Sequence, residues 1–168
     1  QNNISIGGSF ANNAFLEAKD SFENNGTIQN NSTIKVGTLI NNTTISGNGD
    51  LLISNGGESS GAISQKVIEI IGDFTNTGTL NATEKLTNAN ILTNSNEITV
   101  SELINSGSIV GDTGNLAINN GGIKYILKKY FKLFIFSNSF FNIFSTFKIF
   151  SCTFTSNIFF TCFFFISL

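Results

Sequence analysis

The chain has no Met, Pro, Trp, His or Arg among its 168 residues. Without His there is no ordinary Ser-His-Asp or Cys-His nucleophile system, and a metal site loses its commonest ligand. Without Arg, and with few Lys before residue 123, the first part of the chain offers no basic patch for nucleic acid. Cysteine is scarce: Cys152 and Cys162 both lie late, so no disulfide framework holds the first 122 residues together. The opening segment Gln1–Gly8 is mostly polar and lacks the basic and apolar regions of a secretory signal. A chain that opens at Gln1 reads as a piece of something longer or as a processed product, with any export signal upstream.

The charges that are present divide sharply. Residues 1–122 carry all eleven acidic groups and four Lys, a net of −7, while residues 123–168 carry five Lys and no acid, a net of +5. Fourteen of the eighteen Phe also follow residue 123. This marks two unlike segments, 1–122 and 123–168, with a boundary at Gly121-Gly122.

Within the first segment a seven-residue motif recurs: apolar, any, Asn, any, small, polar, apolar. It runs Phe22 to Ile28, Ile28 to Ile34, Leu39 to Ile45, Phe74 to Leu80, Leu86 to Leu92, Leu92 to Ile98 and Leu103 to Ile109. Asn24, Asn30, Asn41, Asn76, Asn88, Asn94 and Asn105 hold the third place. Apolar and polar residues alternate with a period near two, which is the strand period rather than the helical one. By parity the first apolar residue and the Asn share one strand face, with a turn at the small residue. Gly26, Gly78 and Gly107 are expected to supply positive φ there.

A longer unit is also visible, since Leu39–Gly57 matches Leu103–Gly122 with one residue inserted. A unit of roughly twenty residues suits one coil of three short strands and three turns. Stacked at about 4.8 Å, six or so coils make a rod on the order of 30 Å long. Leu, Ile and Val should fill it, with Asn side chains hydrogen-bonded in ladders at the turns. The spacing of the motif Asn residues is irregular, at 6, 11, 35, 12, 6 and 11 residues. That predicts insertions or bent coils around residues 57–73, and Asn55–Ser64 is the best candidate for a protruding loop.

The phrases Asn-x-Gly-x-Ile and Gly-[Asp/Asn]-Leu-x-Ile-x-Asn-x-Gly, over about residues 22–122, resemble the repeats of filamentous haemagglutinin-type adhesins. These are the large exoproteins of bacterial two-partner secretion. The resemblance implies an all-β, right-handed parallel β-helix, secreted to the cell surface through an outer-membrane partner. It also implies adhesion to a carbohydrate or protein receptor on host or neighbouring cells. No Arg-Gly-Asp and no secretion-signal domain is present, so no binding residue carries over.

Other chemistries are weaker. Gly47-Asn48-Gly49-Asp50 resembles half of a calcium-binding nonapeptide, but the Asp follows Gly directly and the later equivalent is Asn115. Asn-x-Ser/Thr at Asn3, Asn25, Asn30, Asn31, Asn41, Asn42 and Asn81 arises from the repeat chemistry itself. Polysaccharide-cleaving β-helices cluster carboxylates, whereas Asp20, Glu23, Asp50, Glu58, Glu69, Asp73, Glu84, Glu97 and Glu102 do not recur at one repeat position. An ice-ordering face needs Thr in ranks, and the pairs Thr43-Thr44 and Thr77/Thr79 are not kept at one position across copies. No catalytic, cofactor-binding or metal-ligating residue is assigned, and the expected role is non-catalytic. The alternatives are a membrane-anchored structural surface protein and a β-helix carbohydrate-active enzyme.

The second segment poses its own problem. Ile123, Ile126, Leu127, Tyr130, Phe131 and Phe134 fall at helical spacing, with Lys124, Lys128 and Lys132 on another stripe, as in a basic amphipathic helix at a membrane surface. Ile149–Leu168 then offers twenty uncharged residues, thirteen of them apolar, long enough for a membrane span. A frameshift or an opposite-strand reading would equally produce so abrupt a change, because A/T-rich codons favour Phe, Ile, Lys and Asn. A buried cap is the third reading.

Overall fold

The computed structural model describes residues 1–111 and 113–120, together with the backbone of Ile123–Lys124, Lys132–Ile135, Phe147–Phe154 and Phe160–Ile166. The first 120 residues form a parallel β-solenoid of about 6 turns. Fourteen strands build it: β1 (Asn3–Ile6), β2 (Ser9–Asn12), β3 (Leu16–Asn24), β4 (Thr27–Asn30), β5 (Thr33–Asn41), β6 (Thr44–Ser46) and β7 (Asp50–Ser59) come first. Then follow β8 (Ala62–Ile70), β9 (Phe74–Asn76), β10 (Thr79–Asn88), β11 (Ile91–Asn94), β12 (Glu97–Asn105), β13 (Ser108–Val110) and β14 (Asn115–Ile118). Every pairing among these strands is parallel.

Each coil has three faces, and each face turns two residues inward. On the first face the leading inward column is Phe10, Ile28, Ile45, Ile63, Leu80, Ile98 and Leu116, aligned coil on coil. On the second it is Leu16, Ile34, Leu51, Ile68, Leu86 and Leu103. On the third it is Phe22, Leu39, Gly57, Phe74, Leu92 and Ile109. Apart from the half-buried Phe10, Leu16 and Gly57, the members of these columns are buried at 3% exposure or less. Leu, Ile and Val dominate this interior, because β-branched and γ-branched chains pack densely in a pleated stack.

The coil is shorter and more regular than the expected twenty residues. Aligned positions such as Asn24, Asn41, Ser59, Asn76 and Asn94 recur every 17 or 18 residues, as their cross-coil partners show. The variation sits at the corners. Gly37 alone fills the bend that takes Lys19-Asp20 in one neighbouring coil and Ser54-Asn55 in the other, which appears as a one-residue register shift on each side.

The irregular motif spacing resolves on this geometry, because the motif falls on different faces in different coils: two coils carry it on two faces, others on one, and the coil Ile45–Ser59 on none. No insertion interrupts residues 57–73. The expected protruding loop at Asn55–Ser64 is instead the end of β7 and the start of β8, joined by the tight turn Ser60-Gly61, and Gly57, Glu58 and Ser59 are paired with coils on both sides. Gly56, at φ 96°, and Gly57, at φ 130°, let the chain make this bend without leaving the stack.

The described pieces beyond residue 120 are extended backbone. Most of the amphipathic helix expected over 123–134 falls outside the described residues, as does the boundary at Gly121-Gly122. Within the span expected over Ile149–Leu168, the described backbone belongs to two strands, Phe147–Phe154 and Phe160–Ile166. Among the described residues no helix is long and apolar enough to cross a membrane.

Candidate functional site

The second inward residue on each face is where the motif Asn stands. All seven motif Asn side chains are buried, joined by Asn12 and by the polar Ser59 and Gln65 at equivalent places. Burial of an amide is tolerated only when its hydrogen bonds are made. The Asn amides donate along the stack to a later coil and sideways to corner carbonyls, as Asn24 Nδ2 does to Asn41 Oδ1 and to Thr44 O.

The ladders are four short runs, each donating toward the later coil. Asn24 Nδ2 donates to Asn41 Oδ1 at 2.8 Å, and Asn41 Nδ2 to Ser59 Oγ at 2.9 Å. Asn12 donates to Asn30 at 2.8 Å, Asn76 to Asn94 at 2.8 Å, and Asn88 to Asn105 at 2.7 Å. The corner bonds go to the carbonyl two residues on, as in Asn76 to Gly78 at 2.8 Å, Asn88 to Asn90 at 2.8 Å and Asn94 to Asn96 at 3.0 Å.

One run skips a coil. Gly47 occupies the slot next to Asn30 and has no side chain to receive its amide. Gln65, one methylene longer than Asn, reaches across that gap, and its Oε1 accepts from Asn30 Nδ2 at 2.6 Å.

Glycine in the motif serves a purpose other than the expected one. Gly26, Gly78 and Gly107 do not have positive φ, which among the described glycines belongs to Gly47, Gly56 and Gly57. A Cβ at Gly26 would collide with the backbone of Gly8, one at Gly78 with Gly61, and one at Gly107 with Asn90. Crowding between stacked corners selects the small residue.

Among the described residues outside the core, the carboxylates are dispersed. In the described pairings no two carboxylate residues are cross-coil partners: Glu58 lies between Ile40 and Thr75, Glu69 between Leu52 and Thr87, and Asp50 between Thr33 and Val67. The nonapeptide-like Asp50 therefore has no stacked acid beside it. Among the described residues no three His, Cys, Asp or Glu side chains gather where they could share a metal ion. Glu17 instead meets Lys35 at 3.1 Å, and Glu84 meets Lys66 at 3.6 Å.

No protein-family model, curated protein or solved structure matches this chain. It is a β-helix repeat protein. Of its Asn-x-Ser/Thr positions, Asn30 and Asn41 are buried ladder members, which removes them as glycan acceptors. Exposed Asn31 and Asn42 form a second, outer set of bonds, to Asn13 at 2.9 Å and Asn25 at 2.8 Å. In the first coil Ile4, Ile6, Phe10 and Leu16 are partly buried and Phe15 is 63% exposed.

Proposed function

We propose that this β-solenoid is a stretch of a non-catalytic, surface-exposed adhesin rod, secreted to the bacterial surface and presenting its outer faces to a carbohydrate or protein receptor. The observation that carries this reading is the allocation of the motif itself. Its apolar residues fill the core, its Asn residues satisfy the corners, and its small residues let coils stack, so the repeated chemistry serves length and stiffness. A parallel stack of this kind adds about 4.8 Å of reach per coil. The dispersed carboxylates and the absence of His and Arg support a surface role over hydrolysis of a glycan. The likeness of the Asn-x-Gly-x-Ile phrases to filamentous haemagglutinin-type repeats supports the same reading, including an outer-membrane secretion partner.

Beads coated with the full chain, offered to epithelial and bacterial cells, test it. Saturable adhesion that soluble chain competes away is the expected result. Adhesion no greater than that of uncoated beads would overturn the reading, and release of sugar from a polysaccharide panel would replace it with an enzyme.

A further inference from the structure

The outer surface of the first face differs from the other two in charge. Its rungs, β2, β4, β6 and the leading parts of β8, β10, β12 and β14, align without a register shift from Ser9 to Ile118. Two columns point outward. One is Ser9, Thr27, Thr44, Ala62, Thr79, Glu97 and Asn115, and the other runs from Ala11 through Ser46 and Ser64 to Thr99 and Ala117. The structure places Thr27, Thr44 and Thr79 in one column, with Ala62 between Thr44 and Thr79.

Glu97 is the one charged side chain among these outward positions. The second face, by contrast, turns out Glu17, Lys35, Asp50, Glu69, Lys85 and Glu102. Polar tips on the first face are also held along the stack, with Asn81 Nδ2 donating to Ser64 Oγ at 3.2 Å and Ser46 Oγ to Gln29 Oε1 at 3.3 Å. The surface is therefore regular, uncharged over most of its length, and free of aromatic side chains.

We propose that this face adsorbs to ice. A crystal lattice offers no net charge and no pocket, so what recognises it is a rank of weak contacts repeated in register. Thr supplies a methyl and a hydroxyl on a χ1 torsion that branching keeps stiff. Successive rungs stand about 4.8 Å apart, close to the interval at which ice repeats its oxygens along the a axis. Charged groups would hold their own hydration shells against such a lattice, and the first face has nearly none. A neutral glycan is the less fitting occupant, because it is ordinarily gripped by aromatic stacking that this face lacks. The proposal is independent of receptor adhesion.

The test offers the full chain, fluorescently labelled, to a growing hemisphere of polycrystalline ice. The expected result is incorporation of the chain into ice, lost in Thr27→Lys and increased in Glu97→Thr, which extends the Thr rank and removes the single charge. Thr75→Lys, on the third face, should incorporate like the parent. Circular dichroism confirms that each variant folds, and Glu97→Thr carries the test by its gain if Thr27→Lys does not. Exclusion of the parent chain from ice would overturn the proposal. So would equal loss in Thr75→Lys, or retention on suspended cellulose by this face without incorporation into ice.

Discussion

Ser59 and Asn76 are neighbours in one interior column, yet the Ser59 hydroxyl donates to the Gly61 carbonyl at 3.1 Å and leaves Asn76 Oδ1 buried without a partner. Asn88 Oδ1 is left in the same state, because the residue aligned with it in the preceding coil is Ile70. An unmet buried acceptor costs about 1–3 kcal/mol. Asn fills the other polar places of this column, so Ser59→Asn should supply the missing donor. The expected outcome is a gain of about 1 kcal/mol, read as a higher midpoint in thermal or urea denaturation. An unchanged or lowered midpoint would show that the ladder is already saturated at that point.

Asn41 links both halves of its run, accepting from Asn24 and donating to Ser59. Asn41→Ala should cost about 1–3 kcal/mol through the groups left unpaired. The side chain of its exposed neighbour Asn42 donates to Asn25 at the surface, so Asn42→Ala should change stability by no more than about 0.5 kcal/mol. Equal effects in a denaturant titration would contradict the distinction between inner and outer Asn sets.

The Gly47–Gln65 device makes a paired prediction. Gly47 has φ 124° and its added Cβ would meet the Asn30 backbone, so Gly47→Ala should destabilise by at least about 1–3 kcal/mol. Gln65→Ala removes the acceptor of one Asn30 N–H, the amide keeping its bond to Asp50 O at 3.1 Å, and should cost a similar amount, about 1–3 kcal/mol. Gln65→Asn, one methylene too short to span the vacant slot, should behave like Gln65→Ala and not like the parent.

Leu51 lies between Ile34 and Ile68 in the second-face column and is fully buried. Leu51→Ala should cost about 2–5 kcal/mol. Because coils pack on their immediate neighbours, the Asn30–Gln65 bond apart, amide exchange should accelerate first at Ile34–Val36, Leu51–Ile53 and Ile68–Ile70, and last near Leu103. Uniform acceleration along the chain would indicate a single cooperative unit.

Surface ion pairs should matter little. The Lys35 ammonium and Glu17 carboxylate stand 3.1 Å apart but are 46% and 30% exposed. Lys35→Ala should lower stability by less than about 1 kcal/mol, and high salt should leave the parent's midpoint nearly unchanged.

Much of this architecture is legible in the residues. Alternation across Leu39, Asn41, Thr43 and Ile45 declares strands, and the recurrence of Asn at one place in the motif declares that Asn has a structural task. The coil length was harder to read. Asn24 and Asn30 are 6 residues apart because they lie on adjacent faces, and 11 more reach Asn41, which returns to the column of Asn24 after 17. The gap of 35 from Asn41 to Asn76 is two full coils in which Ser59 stands in for Asn. A sequence viewed along one dimension merges the three faces into a single uneven series.

By itself, then, the sequence determined the strand period, the apolar filling and the repeated demand for a buried amide, since these follow from local alternation and from what a turn leaves unbonded. Only the tertiary structure decided which residues stack on which. Gly26, Gly78 and Gly107 are small because another coil's backbone lies against them, and Gln65 is long because Gly47, a coil away, is empty. Thr27, Thr44 and Thr79 form a rank because corner lengths happen to return them to one column. Contacts between coils depend on the sum of strand and corner lengths, and a change of one residue at a corner moves every partner that follows.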